Sequence, residues 1–443
     1  MLNVLSNTVY RNLFVAQVIA LLGTGLLTVA LSLLAFDLAG DGAGAVLGTA
    51  LAIKMIAYVG LAPVANALAE SLPRKAVLVG ADLIRASIAV FLPFIDAVWQ
   101  IYVLIFLLQA ASATFTPAFQ ATIPDILPDE GDYTKALSLS RLAYDLENLV
   151  SPMFAGLLLA VMSYHWLFGG TVIGFLGSAA LVMATLLPPR PQTGRSRPFI
   201  ERLTRGARIY LATPRLRGLL ALNMAAAAAG AFVIVNTVVI VRAGYGTDET
   251  GVAQALAAFG GGSMLAALSL PQLLDRMQDR VVMVGAALLL ATLTFGHALY
   301  MFADGLPAWS GFLVAWMASG MLYSAVLTPS GRLLRRSAHA EDRSAVFAAQ
   351  FALSHACWLI TYPLAGWVGG AFGMPAAMSL LGLVAFGAST LAILVWPAGQ
   401  DEELLHEHPD LPSGHPHLRG THGHRHRHVF VIDDEHRVWP THG

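Results

Sequence analysis

The sequence predicts an all-α membrane protein with twelve transmembrane helices in two six-helix pseudo-repeats. Three observations carry that prediction. The 443 residues are 56% hydrophobic and 12% charged, whereas a soluble domain devotes roughly a quarter of its residues to charge. The chain also repeats itself: Glu70 and Lys75 match Asp275 and Arg280 at one offset, since 275−70 and 280−75 are both 205. The stretch from Thr116 to Glu130 likewise parallels Thr328 to Asp342, 328−116 and 342−130 both being 212. Finally, the segment from Pro188 to Arg217 is rich in proline and carries eight arginines in the middle of an otherwise apolar chain. Such a segment cannot lie in hydrocarbon, so it reads as a bridge between two halves.

A helix needs about 20 apolar residues to cross the hydrocarbon. By that measure the first half holds spans near 12–38, 45–69, 76–95, 99–122, 136–162 and 166–187, and the second half near 218–242, 251–273, 281–303, 309–331, 344–370 and 374–396. The domain plan is then 1–187, a bridging loop 188–217, a second half 218–397 and a tail 398–443. The first apolar run is too long for the core of a cleavable signal, so the first helix is expected to stay in the membrane. Prolines at Thr116-Pro117 and Thr328-Pro329 fall late in the fourth and tenth spans, where they are expected to bend a helix around a cavity.

Charge sets the orientation. Arg74, Lys75, Lys135, the bridge, Arg276, Arg280, Arg332, Arg335, Arg336 and Arg343 all fall on one side, and Arg242 falls opposite. Basic residues beside short loops are held in the cytoplasm, so both termini are expected there, in a bacterial cytoplasmic (inner) membrane. The connections on the other side are short, which leaves the bundle and the tail to carry function. The single cysteine, Cys357, rules out an intramolecular disulfide.

Ionisable residues at bilayer depth are costly unless paired, and each is a candidate functional residue. Asp145 lies near the middle of the fifth span, and Arg141 sits one turn earlier at the i,i+4 spacing that allows pairing. Glu147 points away from that pair, and Lys54 lies at similar depth in the second span. Coupling of protons or cations and simple structural pairing both remain open for these four. In the eleventh span His355 and Cys357 fall near the repeat equivalents of Asp145 and Glu147, and their imidazole and thiolate groups suit nickel, cobalt or zinc. A hydrogen-bonded core histidine is the other reading.

Beyond Trp396 the composition turns to Pro, Gly, His and acid, which is expected to stay unfolded apart from a short strand near 428–432. The tail from Ala398 holds four basic and eight acidic residues. Ten of the chain's fourteen histidines lie there: His406, His408, His415, His417, His422, His424, His426, His428, His436 and His442. Alternating histidines in one flexible segment can wrap a divalent cation, and a solvating tail is the alternative.

Six plus six helices, a long basic bridge and basic turns after the second and eighth helices resemble the major facilitator superfamily of secondary transporters, over about residues 8–397. The family's turn pattern, Gly-x-x-x-Asp-Arg-x-Gly-Arg-Arg/Lys, is partly kept. Glu70, Arg74 and Lys75 match in the first copy while Asn66, Ser71 and Pro73 depart; Asp275, Arg276 and Arg280 match in the second while Pro271, Gln278 and Asp279 depart. The resemblance implies that these turns act as charge-assisted latches, against the alternative of solvated turns. With its histidine-rich tail the chain further resembles bacterial nickel-resistance exporters. That implies proton-coupled export of nickel or cobalt, with membrane lipid as the only other partner, no cofactor, no enzymatic activity and no nucleic acid. Efflux of hydrophobic drugs and a membrane-anchored metal sensor stand as the alternatives. No Walker motif is present to support drive by ATP.

Overall fold

The computed structural model describes residues 2–39, 43–69, 72–189, 198–247, 249–399, 403–407 and 425–440. The first half comprises α1 (Thr8–Ala39), α2 (Ala43–Ala69), α3 (Arg74–Phe91), α4 (Val98–Ile126), α5 (Glu130–Leu159) and α6 (His165–Ala184). The bridge contains an unexpected helix, α7 (Phe199–Ala212). The second half comprises α8 (Pro214–Val239), α9 (Glu249–Leu274), α10 (Asp279–Asp304), α11 (Trp309–Leu327), a short α12 (Ser330–Arg336), α13 (Arg343–Phe372) and α14 (Met374–Val395). Among the described residues, eleven spans are long and apolar enough to cross a membrane. The twelfth, α5, is long enough but carries Arg141, Asp145 and Glu147.

The packing repeats as the sequence does. In the first half α1 packs on α6 and α5, α3 on α6 and α4, and α2 on α4. In the second, α8 packs on α14 and α13, α10 on α14 and α11, and α9 on α11, which is the same pattern. The halves meet along two seams related by that repeat, α2 against α13 and α5 against α9. Small residues let the helices approach closely, as membrane interiors require.

The repeat is imperfect where proline meets the chain. Pro117 and Pro124 lie inside α4, which runs on to Ile126. Pro329, the counterpart of Pro117, instead divides α11 from α12, and this break turns Arg332, Arg335 and Arg336 toward the first half.

Helix α7 follows from an amphipathic pattern hidden among arginines: Arg205, Gly206, Ile209 and Tyr210 are buried, while Ile200, Thr204, Arg208 and Leu211 on the opposite face are exposed. Gly206 lies against α13 so closely that a Cβ there would stand 2.1 Å from the Ala345 carbonyl oxygen. The helix also touches α2, so it bridges both halves on the face where the linker lies.

The tail differs from its expectation. Strands β1 (Glu403–Glu407) and β2 (Arg425–Val429) pair antiparallel with His406 opposite His426. Phe430, Ile432 and Trp439 are buried and join the core of the second half together with Leu404. The segment is too polar to fold alone, but Phe430, Val431, Ile432 and Trp439 are concentrated in its last stretch, and these bury readily on a surface that already exists.

Candidate functional site: a polar seam between the halves

The seam is built from residues that the two pairs of facing helices place at mid-depth. On α5, Arg141 and Asp145 stand one turn apart, and an Arg141 guanidinium nitrogen lies 3.1 Å from an Asp145 carboxylate oxygen. Ser263 of α9 closes this pair across the halves, donating to Asp145 at 2.7 Å and accepting from Arg141 Nε at 3.0 Å. The guanidinium also lies 4.9 Å from the centre of the Tyr323 ring on α11. Asp145 is buried. A buried carboxylate with one arginine, one hydroxyl and an aromatic face beside it is satisfied only while the halves touch, which makes the seam a reversible contact.

On the other seam, Tyr58 of α2 donates to Gln109 at 2.7 Å and packs against α13, tilted on Phe351 with ring centres 4.8 Å apart and edge-on to His355 at 4.7 Å. His355 Nδ1 donates to the Phe351 carbonyl at 2.7 Å, so the ring is fixed by its own helix. Lys54, one turn beyond Tyr58, has its ammonium 5.6 Å from the Tyr58 ring centre. It interacts electrostatically with Glu147 of α5. Both are partly buried, and both lie past the Asp145 level on the side away from the linker. Tyr323, against the Arg141 guanidinium, begins an aromatic wall that continues through Trp358 to Tyr362, with ring centres 6.3 Å and then 5.0 Å apart.

From this level to the linker face the halves are tied by charge. Asp125, at the end of α4, holds Arg74 of its own half and Arg343 of the other. Glu130 accepts from Arg332 at 2.8 Å and also holds Arg336, while Asp279 takes both arginines from its own side at 3.0 and 3.1 Å. Arg332 donates to Thr134 at 2.6 Å, Arg335 to the Pro128 carbonyl, and Ser344 to Asn66. The protein is therefore closed on the linker side.

The expected site residues separate into groups. Arg141 and Asp145 pair as expected, and Lys54 approaches Glu147. His355 and Cys357 do not come together: two residues apart on a helix they face opposite ways, and Cys357 is buried with its thiol donating to Leu353 O at 3.4 Å. Of the turn residues, Arg74 reaches the seam through Asp125. Lys75 instead donates to Met183 O at 2.9 Å, and Arg280 to Trp396 O at 2.6 Å. Asp275 and Arg276 are exposed, and Glu70 lies outside the described residues. In the tail, His436 is buried and bonded to Asp433 at 2.9 Å, and His426 is buried. His406 and His428 take strand positions; His408, His415, His417, His422, His424 and His442 lie outside the described residues. Among the described residues no group of three or more His, Cys, Asp or Glu is placed to hold a metal ion.

Sequence reasoning missed Ser263, Asp125, Glu130 and Asp279 as partners. A signal for two of them existed, because Asp125 and Glu130 lie in the very stretch that repeats as Thr328 to Asp342.

Two repeated six-helix bundles meeting on a breakable polar seam define a transporter rather than an enzyme. The chain belongs to the Major Facilitator Superfamily, whose sequence profile matches residues 13–310. It is similar to Macrolide efflux protein A of Streptococcus pyogenes, 27% identical over 152 residues, covering 33% of this chain and 37% of that protein. A Macrolide efflux protein A of Enterococcus faecalis is 26% identical over 152 residues, covering 32% and 47%. The match thus spans less than half the length of these relatives. By shape the chain resembles the human organic anion transporter MFSD10 (TM-score 0.72, 12% identity, covering 87% of this chain and 98% of that one). It likewise resembles a bacterial homologue of the iron transporter ferroportin in an outward-facing state (TM-score 0.69, 16% identity, covering 88% and 98%). At these identities the likeness concerns the fold alone. The resemblance to nickel-resistance exporters finds no support in these relatives.

Proposed function

We propose that the protein exports hydrophobic organic molecules from the cytoplasm in exchange for protons. The observation that carries this reading is that the charges at the seam lie against aromatic rings, the Lys54 ammonium over Tyr58 and the Arg141 guanidinium over Tyr323, which continues through Trp358 to Tyr362 as an aromatic wall. Apolar and aromatic surface with few convergent polar groups suits an organic solute, whereas a divalent metal wants several nitrogen, oxygen or sulfur ligands around one point. The macrolide-exporting relatives point the same way. Glu147 then serves as the carboxylate that exchanges a proton against Lys54, and Asp145 with Arg141 reports the state of the seam to it two residues away. The arginines of the linker face support a cytoplasmic location for that face and for both termini, in a bacterial inner membrane. Of the turn residues, Arg74 is the one supported as part of a latch, by its bond through Asp125 to Arg343.

Export of nickel or cobalt rests on the tail histidines alone. One experiment separates the readings: inside-out vesicles energised by a proton gradient are given a radiolabelled macrolide or radiolabelled nickel. Gradient-dependent uptake of the macrolide supports the proposal, and uptake of nickel without macrolide replaces it with metal export.

A further inference from the structure

The docked end of the tail reaches the residues that anchor the closed seam. Asp434 accepts from Arg205 of α7 at 2.6 Å and lies 3.8 Å from Arg208. The same Arg205 holds Asp342 through two bonds, and the next residue, Arg343, bonds Asp125 across the halves. A second route runs through Trp439, 5.8 Å from the Arg215 guanidinium. Arg215 donates at 2.6 Å to the carbonyl of Arg336, the residue that holds Glu130 across the halves. Both routes reach a cross-half ion pair from the tail within a few residues. Between them sits Asp433, which accepts at 3.2 Å from His339 of the connection between α12 and α13 and at 2.9 Å from His436.

We propose that residues 430–440 form an intramolecular latch that clamps α7 to the start of α13, keeps the linker side closed, and releases when the pH on that side rises. Opening that side requires Arg343 to leave Asp125 and Arg336 to leave Glu130, and the docked tail fixes both arginines through their neighbours. The pH sensitivity follows from the groups around Asp433. His339 faces Asp433, Asp342 and Glu341, and its bond to Asp433 holds its pKa above the usual histidine value despite burial. Burial works to raise the Asp433 pKa, but the bonds from His339 and His436 hold it well below the ordinary carboxylate range. A group whose bound-state pKa is raised contributes fully below its free value and loses that contribution as the pH climbs through the raised value. His339 therefore tightens the latch in acid and loosens it above neutrality. Asp433 remains ionised throughout that range, so it is the fixed partner and His339 is the switch.

The test uses the full chain with a cysteine at Ser344, which faces Asn66 across the seam, in inside-out vesicles with a membrane-impermeant maleimide. Truncation after Gln400 and Asp434→Asn should each speed labelling, by about five- to tenfold for the loss of charge-assisted bonds. A disulfide between Arg208→Cys and Asp434→Cys should slow labelling, and reductant should restore it. The wild-type rate divided by the truncated protein's rate at the same pH removes the thiol's own titration. That ratio should rise from about pH 6 to about pH 8, and His339→Gln should abolish the rise. Labelling that ignores both truncation and the cross-link would overturn the latch; a normalised rate flat with pH in wild type would overturn its pH control. Neither readout depends on which solute is carried.

Discussion

Asp145 is the residue at which the two halves read each other. Its partners fall on both sides of the seam, Arg141 at 3.1 Å within its own helix and Ser263 at 2.7 Å from the other half. Ser263→Ala is expected to leave the carboxylate with a buried unsatisfied oxygen, weakening the closed seam by about 1–3 kcal/mol. Asp145→Asn keeps the shape but strips Arg141 of its counter-charge, so gradient-driven flux should disappear while the amount of protein in the membrane holds. Immunoblotting beside vesicle transport measures both, and unchanged flux in Asp145→Asn would remove the residue from the mechanism. Glu147→Gln has a sharper signature under the proton-exchange proposal: downhill solute movement persists while uphill movement driven by a proton gradient is lost. The Arg141 and Asp145 pair was legible because i,i+4 spacing is local. Ser263 was not, since a serine in a helix of glycines and alanines reads as small-residue packing. His355 and Cys357 misled because a shared position in the repeat says nothing of which way each points around the helix.

At the scale of elements, close approach decides the architecture. A Cβ on Gly262 of α9 would lie 1.8 Å from the Met317 carbonyl oxygen, and one on Gly320 of α11 would lie 1.8 Å from that of Phe259. These two glycines let α9 and α11 meet backbone to backbone, and neither contact can be relieved by moving a side chain. Gly320→Val should therefore destabilise the second half by about 1–3 kcal/mol or more from overpacking, read as a lower midpoint of thermal unfolding in detergent; an unchanged midpoint would mean that the helices separate freely. The transmembrane helices were legible because each is a long apolar run. Helix α7 was not, because its eight-arginine surroundings mask a stripe as narrow as Ile209 and Tyr210, and its stability comes from docking on α13 rather than from its own pattern. The tail failed for the same reason: composition judges whether a segment folds alone, and Phe430, Ile432 and Trp439 fold against something else.

For the whole molecule, the ties run from Asp145 to the linker face, and the Lys54 and Glu147 charges sit on the far side of them. The structure is thus a state closed on the side of the linker. Asp125 is the tie shared by both halves, so Asp125→Asn releases Arg74 and Arg343 together and should shift the protein toward opening on that side. Faster maleimide labelling of a cysteine at Asn66 measures the shift, and no change would assign closure to Glu130 and its arginines. The two-half plan was legible from the repeat itself, whereas these ties join residues some 200 positions apart, such as Arg343 and Asp125, and no local pattern announces them. The central claim is that the aromatic wall and the Glu147 carboxylate move an organic solute against a proton gradient. Its most direct measurement is radiolabelled macrolide flux in proteoliposomes of the purified protein, with an imposed proton gradient and with Glu147→Gln beside the wild type. The account predicts gradient-driven accumulation by the wild type, abolished in Glu147→Gln with downhill exchange retained; accumulation that persists in the variant, or a wild type that moves nickel and no macrolide, would contradict it.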